Sequence, residues 1–384
     1  MRIDGHPAVV RDTALRVLGI WVDPRLNWRE HISQASRKGN VAFTALSRLV
    51  ASTWGPTMRR SRLLYSAVVK PAMLYGAPVW GVRHNGAPVT AAALKPLTKV
   101  QNSCLRRITG GYRRSPRAAL EREAAVPPID LQIDQIALQY AAQSTSQKVS
   151  AEMAEAAHQI WVAARRRNRH SERVPTTIGL LQDRAREREA EIRGYLQHKA
   201  EQAGNRAGRR RRTGRPRGQQ QERQSKALLK YWANAEWSRR WHKLARNRNA
   251  TTWRTPWTES AIQLYNGLTK AEATALFLLR TEVIGLNAWL ASIGVPGVLP
   301  RCTCGWQAQT VKHILLHCPR YDRTALIRDT GSEVLTKMLS HPDRARAAAK
   351  WLIAQGVLAQ FHVAHAIEQG DTTRLLPLPG LEDW

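Results

Sequence analysis

Cys302-Thr303-Cys304-Gly305, then His313, then His317-Cys318-Pro319: the reading of this chain turns on that stretch, which gathers three of its four cysteines. Its spacing is C-x-C-x8-H-x4-C. Thiolate sulfur and imidazole nitrogen suit Zn²⁺, which takes four such ligands tetrahedrally and would supply folding energy to a segment with little core of its own. Cys302, Cys304, His313 and Cys318 form the preferred set. A Cys2His2 set with His317 is the rival, because His313 and His317 share a face if residues 310–318 are helical. A third reading has the cysteines packing as small hydrophobes, since C-x-C is tighter than the usual gap between zinc ligands.

The chain carries 60 Lys and Arg against 29 Asp and Glu, a net charge of +31. Such an excess makes a polyanion the expected partner, nucleic acid first and a membrane surface second. With 384 residues and 43% apolar content, two or three domains with real cores are expected rather than global disorder. No apolar run approaches the ~20 residues that span a bilayer, and the N-terminal residues lack a signal-peptide apolar segment. Together with ligand-like cysteine spacing, this argues against a secreted disulfide framework and for a soluble intracellular protein.

Local pattern predicts a mainly helical fold. Ala8-Val9-Val10 and Leu15 to Asp23 read as two strands of a hairpin. From Trp28, Ile32, Ala35, Val41, Ala42, Leu46 and Leu49 trace an approximate helical stripe. A second helix is expected from Pro56 to Pro71 with Leu64, Ala67 and Val68 apolar, and a third from Ala91 to Ile108, kinked at Pro96 and stopped by Gly110-Gly111. Ile129, Ile133, Ile136 and Tyr140 mark a helix that could run to Ile160, and the alternating charges of 183–193 suit a solvent-exposed helix. Arg206, Arg209, Arg210, Arg211, Arg212, Arg215 and Arg217 lie among glycines and Pro216, a composition that cannot bury a core and reads as a flexible RNA- or DNA-binding linker or a nuclear import signal. Beyond it, Trp232, Trp237, Trp241, Trp253 and Trp257 alternate with arginines; core packing is preferred to base stacking because Trp237 and Trp241 are four apart. Trp80 and Tyr75 are likewise expected in the core. Residues 264–290 should pack under the zinc site, covered by helices from about Ala345 to Glu368.

Leu18-Gly19-Ile20 with Asp23 and His31, Leu64 through Pro71, Leu74 through Trp80, and Gln101 through Gly110 resemble the thumb of a LINE-type, non-LTR retrotransposon reverse transcriptase. Leu276 through Thr281, Gly285-Leu286-Asn287, Leu290 and the Cys302 to Pro319 stretch resemble that family's C-terminal zinc knuckle. The resemblance leaves the Arg-rich middle unmatched and strengthens the zinc assignment. It implies a short N-terminal β-hairpin with a helical thumb bundle, an Arg-rich flexible linker, and a helical C-terminal region with a small zinc knuckle. The expected division is a grip hairpin and thumb over 1–125, connector helices over 126–170, a charged linker over 171–225, a Trp-rich helical region over 226–300, the knuckle over 301–320, and C-terminal helices and tail over 321–384.

The family implies RNA-directed DNA polymerase chemistry, which needs palm aspartates to hold two metal ions. No Asp-Asp pair occurs in this sequence, so the chain alone is expected to be inactive, with the palm upstream of residue 1. No Thr-Asp-Gly-Ser opening of a ribonuclease H domain is present either. What remains is gripping: Leu18 and Gly19 would form the primer grip, and Arg16, Arg25, Arg37, Lys38, Arg48, Arg59, Arg60 and Arg62 are available for phosphates. The implied partners are primer–template, element RNA and target DNA, in the nucleus or a cytoplasmic ribonucleoprotein. A co-opted zinc-dependent regulator that binds nucleic acid, or a decayed copy, is the alternative.

Overall fold

The computed structural model describes residues 2–3, 6–7, 13–51, 53–83, 85–144, 177–202, 217–361 and 366. They are mainly helical, with the paired strands confined to the N-terminal end. Strand β1 (Arg2–Ile3) pairs antiparallel with β2 (His6–Pro7), and β3 (Leu15–Val17) with β4 (Ile20–Val22), Val17 facing Ile20. The turn between β3 and β4 is Leu18-Gly19, with φ of 49° and 86°. A two-residue hairpin turn with both φ positive matches the twist of its strands. Gly19 adopts that conformation freely, whereas Leu18 carries strain there. The expected first strand at 8–10 lies outside the described residues; the described hairpin forms wholly within the segment read as its second strand.

Helix α1 (Arg29–Ser47) follows a loop in which the Asp23 carboxylate accepts the backbone N–H groups of Arg25, Asn27 and Trp28. Its buried positions include Ile32, Ala35 and Leu46, with Trp28 buried just before it, while Val41 and Leu49, expected in the same stripe, are 73% and 58% exposed. Thr57 caps α2 (Met58–Leu64), so Pro56 precedes the cap rather than opening the helix. A π turn (Tyr65–Val69) then leads without a break into α3 (Lys70–Leu74), and Pro71 sits inside the helix instead of ending it. A wide turn disrupts the regular hydrogen-bond ladder where proline has no N–H to offer, and it adds a residue to the period. Tyr65, Val69 and Met73 therefore face inward, and Val68 faces out.

Next come α4 (Ala77–Trp80) and α5 (Lys95–Thr109), where Pro96 falls in the first turn and causes no kink. After them run α6 (Arg117–Glu123), α7 (Ile129–Ser144), α8 (Thr177–Gln202), α9 (Arg217–Ala245), α10 (Thr251–Arg254), α11 (Lys270–Thr281), α12 (Asn287–Ser292), α13 (Thr324–Thr330), α14 (Leu335–Met338) and α15 (Pro342–Ala354). The expected continuation of α7 to Ile160 lies outside the described residues. The covering helix starts earlier than expected, at Pro342, and ends at Ala354. Among the described residues no helix is long and apolar enough to cross a membrane.

The chain forms two units, each assembled from segments distant in sequence. The first takes residues 1–38, 72–98 and 127–239. Trp80 is fully buried in it beside His31, ring centroids 5.2 Å apart, and the Trp28 indole donates to Val82 O. Tyr75, expected in the core, is 55% exposed, and its hydroxyl donates to Leu18 O at the hairpin turn. Helix α8 is not solvated all round: Leu181, Ala185 and Ile192 are buried, and Arg184 forks onto both oxygens of Asp134 on α7. On α7, Ile129 and Ile133 are buried as expected, but Tyr140 is exposed.

The second unit takes residues 39–71, 99–126 and 240–384. Its central element is α11, buried along its whole length and opened by a reciprocal cap in which Thr269 and Glu272 each accept the other's backbone N–H. The alternation of tryptophan and arginine resolves into packing. Trp241 stacks on Trp253 at 4.3 Å, Arg122 covers the Trp241 ring at 5.0 Å, and Arg248 covers Trp253 at 4.5 Å. With Trp237 and Trp241 also buried, the core reading of these rings holds.

Candidate metal centre

The cysteine loop and the turn bearing His313 belong to the second unit. Cys302 N–H donates to Trp306 O and Gly305 N–H to Cys302 O, closing a tight loop in which Gly305 takes φ of 92°. The loop is anchored on the start of α12: Asn287 N–H donates to Gln309 Oε1, and the Asn287 amide donates to Arg301 O. Thr310 then starts a helical turn, its hydroxyl accepting the N–H of His313. That turn widens over His313–His317, so that Cys318 N–H reaches His313 O at 2.7 Å.

The widening decides which ligands meet. In a π turn the fifth residue on, not the fourth, closes the hydrogen-bonded ring. Cys318 thereby joins His313, and His317 is exposed outside the cluster. One ligand atom from each of Cys302, Cys304, His313 and Cys318 lies within 4.8 Å of all the others. The Cys302 and Cys318 sulfurs are 3.8 Å apart, and Cys304 Sγ is 3.2 Å from His313 Nε2. A tetrahedral ion with metal–sulfur bonds of ~2.3 Å needs sulfurs ~3.8 Å apart, so the separations suit a metal ion.

The electrostatics point the same way. Burial pushes the Cys318 thiol up to about 11, with the neighbouring thiols adding to the rise. Burial also acts against the Cys302 thiolate, but hydrogen bonds from Cys304, Cys318 and Thr303 outweigh it and hold that thiol below its ordinary value. Burial, followed by His317 and Arg323, lowers His313 and keeps its ring neutral, the form that ligates. His313 Nδ1 is buried without a hydrogen-bond partner, and the ring stacks on Trp306, 5.7 Å away and 4° from parallel. A largely buried cluster with several thiols and one imidazole lacks a countercharge once the thiols ionise; a cation supplies it.

Of the other expected site residues, Leu18 and Gly19 are the turn of the β3–β4 hairpin. Arg206, Arg209, Arg210, Arg211, Arg212 and Arg215 lie outside the described residues, and Arg217 is the first residue of α9. Arg16, Arg25, Arg37, Lys38, Arg48, Arg59 and Arg60 are exposed. Arg62 is not free for phosphate, because its guanidinium donates twice to Ala125 O.

A second polar cluster in this unit had no sequence signal. Glu123, fully buried, accepts from Arg122 at 2.7 Å, from Arg280 at 3.0 and 3.2 Å, from the Tyr265 hydroxyl at 2.7 Å and from Thr252. Two further donors of these arginines reach Pro256 O and Leu339 O, while Arg122 Nε is buried without a hydrogen-bond partner. Burial opposes the carboxylate, but the two guanidinium groups and these hydrogen bonds overcome it and hold Glu123 down at about 2. Its members are 129 and 157 residues apart, as for Thr252 and Arg280 from Glu123, so no spacing could have announced them.

Over 125 residues, 33% of its length, the chain is 29% identical to a putative 115 kDa protein in the type-1 retrotransposable element R1DM of Drosophila melanogaster. The matched segment spans 12% of that protein. No family model matches the chain, and no solved structure matches it. The similarity marks the chain as retrotransposon-related.

Proposed function

We propose that this chain is the nucleic-acid-binding, C-terminal portion of a non-LTR retrotransposon reverse transcriptase, comprising thumb, connector and zinc knuckle. The observation that carries the reading is the similarity to the retrotransposable-element protein. The net charge of +31 supports a polyanionic partner, and the Cys302, Cys304, His313 and Cys318 group fits zinc. Zinc there would be structural, since four protein ligands leave no open position for substrate. The partners are primer–template, element RNA and target DNA, met in the nucleus or in a cytoplasmic ribonucleoprotein, with the palm supplied by a further part of the full-length protein. The β3–β4 hairpin with Leu18 and Gly19 serves as the grip. The Arg206 to Arg217 stretch adds phosphate contacts.

The test is a binding assay on an RNA–DNA primer–template run beside primer extension by the purified chain. Binding that weakens steeply with salt, without extension, is the expected result; neutralising about six phosphates or more would cost roughly 10³-fold or more between 50 and 200 mM salt. Extension by this chain alone, or salt-insensitive binding, would overturn the reading.

A further inference from the structure

The second unit contains a cavity of about 370 Å³ lined by Phe43, Ser103, Arg106, Arg107, Tyr112 and Gln360, together with the backbone at Gly110-Gly111. It lies at the C-terminal end of α5, where unpaired carbonyls ordinarily repel an anion. Here they are taken. Lys270, buried, donates from its ammonium to Arg107 O at 2.7 Å and Ile108 O at 2.6 Å; Gly110 N–H takes Arg106 O, and the Thr109 hydroxyl takes Leu105 O. The Lys270 amine, its pKa lowered by burial and then by Arg107 to about 7, is thus committed to the helix end, and the arginines beside it are not needed for that purpose.

Those arginines have no carboxylate. Among the described residues no ion pair includes Arg106, Arg107, Arg113 or Arg114. Arg106 Nε is buried with no hydrogen-bond partner. Burial, and then Arg113, lower the Arg106 pKa, the signature of a cation whose surroundings hold no compensating charge. The glycines do not form the cradle themselves: a Cβ on Gly110 would fall 2.1 Å from Thr274 Oγ1, and one on Gly111 2.7 Å from Phe277, so they are glycines for packing. The same cavity is lined by two aromatic rings, Phe43 and Tyr112, the latter held by its hydroxyl donating to Gln360 Oε1.

We infer that this cavity takes one nucleotide unit of a single polynucleotide strand, its phosphate between Arg106 and Arg107 and its base or sugar against Phe43 and Tyr112. Guanidinium groups fit phosphate oxygens in pairs, and aromatic faces accept any base, so the site would be tolerant of sequence. The inference rests on the nucleic-acid-binding reading above and names where on the second unit a strand is held.

The experiment measures binding of a labelled single-stranded RNA to the full chain over a salt series, for wild type, Arg106→Gln/Arg107→Gln, and Arg107→Glu. Arg107 is exposed, so its replacement leaves the fold intact even if the double variant does not; near-ultraviolet circular dichroism checks both. The log–log salt slope should flatten by ~0.7 for each phosphate contact removed. Arg328→Gln, exposed on α13 and paired with Asp329, should leave it unchanged. Wild-type binding with an unaltered slope in both folded cavity variants overturns the site while sparing the nucleic-acid reading. Absence of wild-type binding overturns both. Adenosine monophosphate at millimolar concentration serves as competitor: failure to displace the RNA is expected, and displacement that is lost in Arg107→Glu would assign the cavity to free nucleotides instead of a strand.

Discussion

Two polar clusters of the second unit, one fully buried and one at the edge of the core, are finished in different ways. Around Glu123 the chain supplies the countercharge: two guanidinium groups, a phenol and a hydroxyl converge on one carboxylate, and two outer donors end on backbone carbonyls, with Arg122 Nε alone left over. Around His313 it supplies three thiols and an imidazole that face one another with no charge between them, and leaves His313 Nδ1 without a partner. A buried charge is tolerable only when paired, so a cluster whose charges are paired within the protein is structural, and one built of metal-ligating atoms alone asks for a cation. The Arg106 cavity is a milder instance of the second kind with the signs reversed.

The largest effect expected from this difference is on stability. Glu123→Gln leaves Arg122 and Arg280 buried without their counterion, a loss of about 3–5 kcal/mol that chemical denaturation of the second unit should reveal. A change below about 1 kcal/mol would mean that water reaches those guanidinium groups and the cluster is not closed.

Acid should separate the two clusters. Glu123 has its folded value near 2, below the ordinary 4.5, so the stability it contributes is complete above about pH 4.5 and lost as pH falls towards 2. Metal release requires only that protons outcompete the ion for sulfur and nitrogen, and should come first as pH is lowered. Zinc captured by a chromophoric chelator should therefore appear before near-ultraviolet dichroism collapses. Simultaneous transitions would show that the metal holds the whole unit together rather than one loop.

A smaller effect sharpens the local account. Thr310 caps the turn that carries His313, and Thr310→Ala should cost ~1 kcal/mol while leaving zinc stoichiometry intact. Loss of the metal in that variant would mean that the cap positions the ligand as well as stabilising the turn.

The contrast also explains what the sequence made legible. Cys302, Cys304, His313 and Cys318 lie close along the chain, so ligand chemistry and spacing were enough to single them out. The choice of Cys318 over His317 depended on a π turn, and a residue inserted into the helical period leaves no mark in an apolar pattern. The same device hid the register of Tyr65, Val69 and Met73 and let Pro71 remain helical. Val41 and Leu49 failed because a rough apolar stripe does not fix which side of a helix is covered. The Glu123 cluster was illegible for another reason: each member read alone is an ordinary surface charge, and only the fold brings residues 123, 252, 265 and 280 together. Helical class, the hairpin and the core role of the tryptophans survived because they follow from local periodicity.

The most direct test of the unfinished cluster is the metal content of the purified chain beside His313→Ala and His317→Ala. One zinc per chain in the wild type and in His317→Ala, with none in His313→Ala, is the expected result. A folded wild type without metal, or loss of zinc on changing His317 alone, would contradict the account.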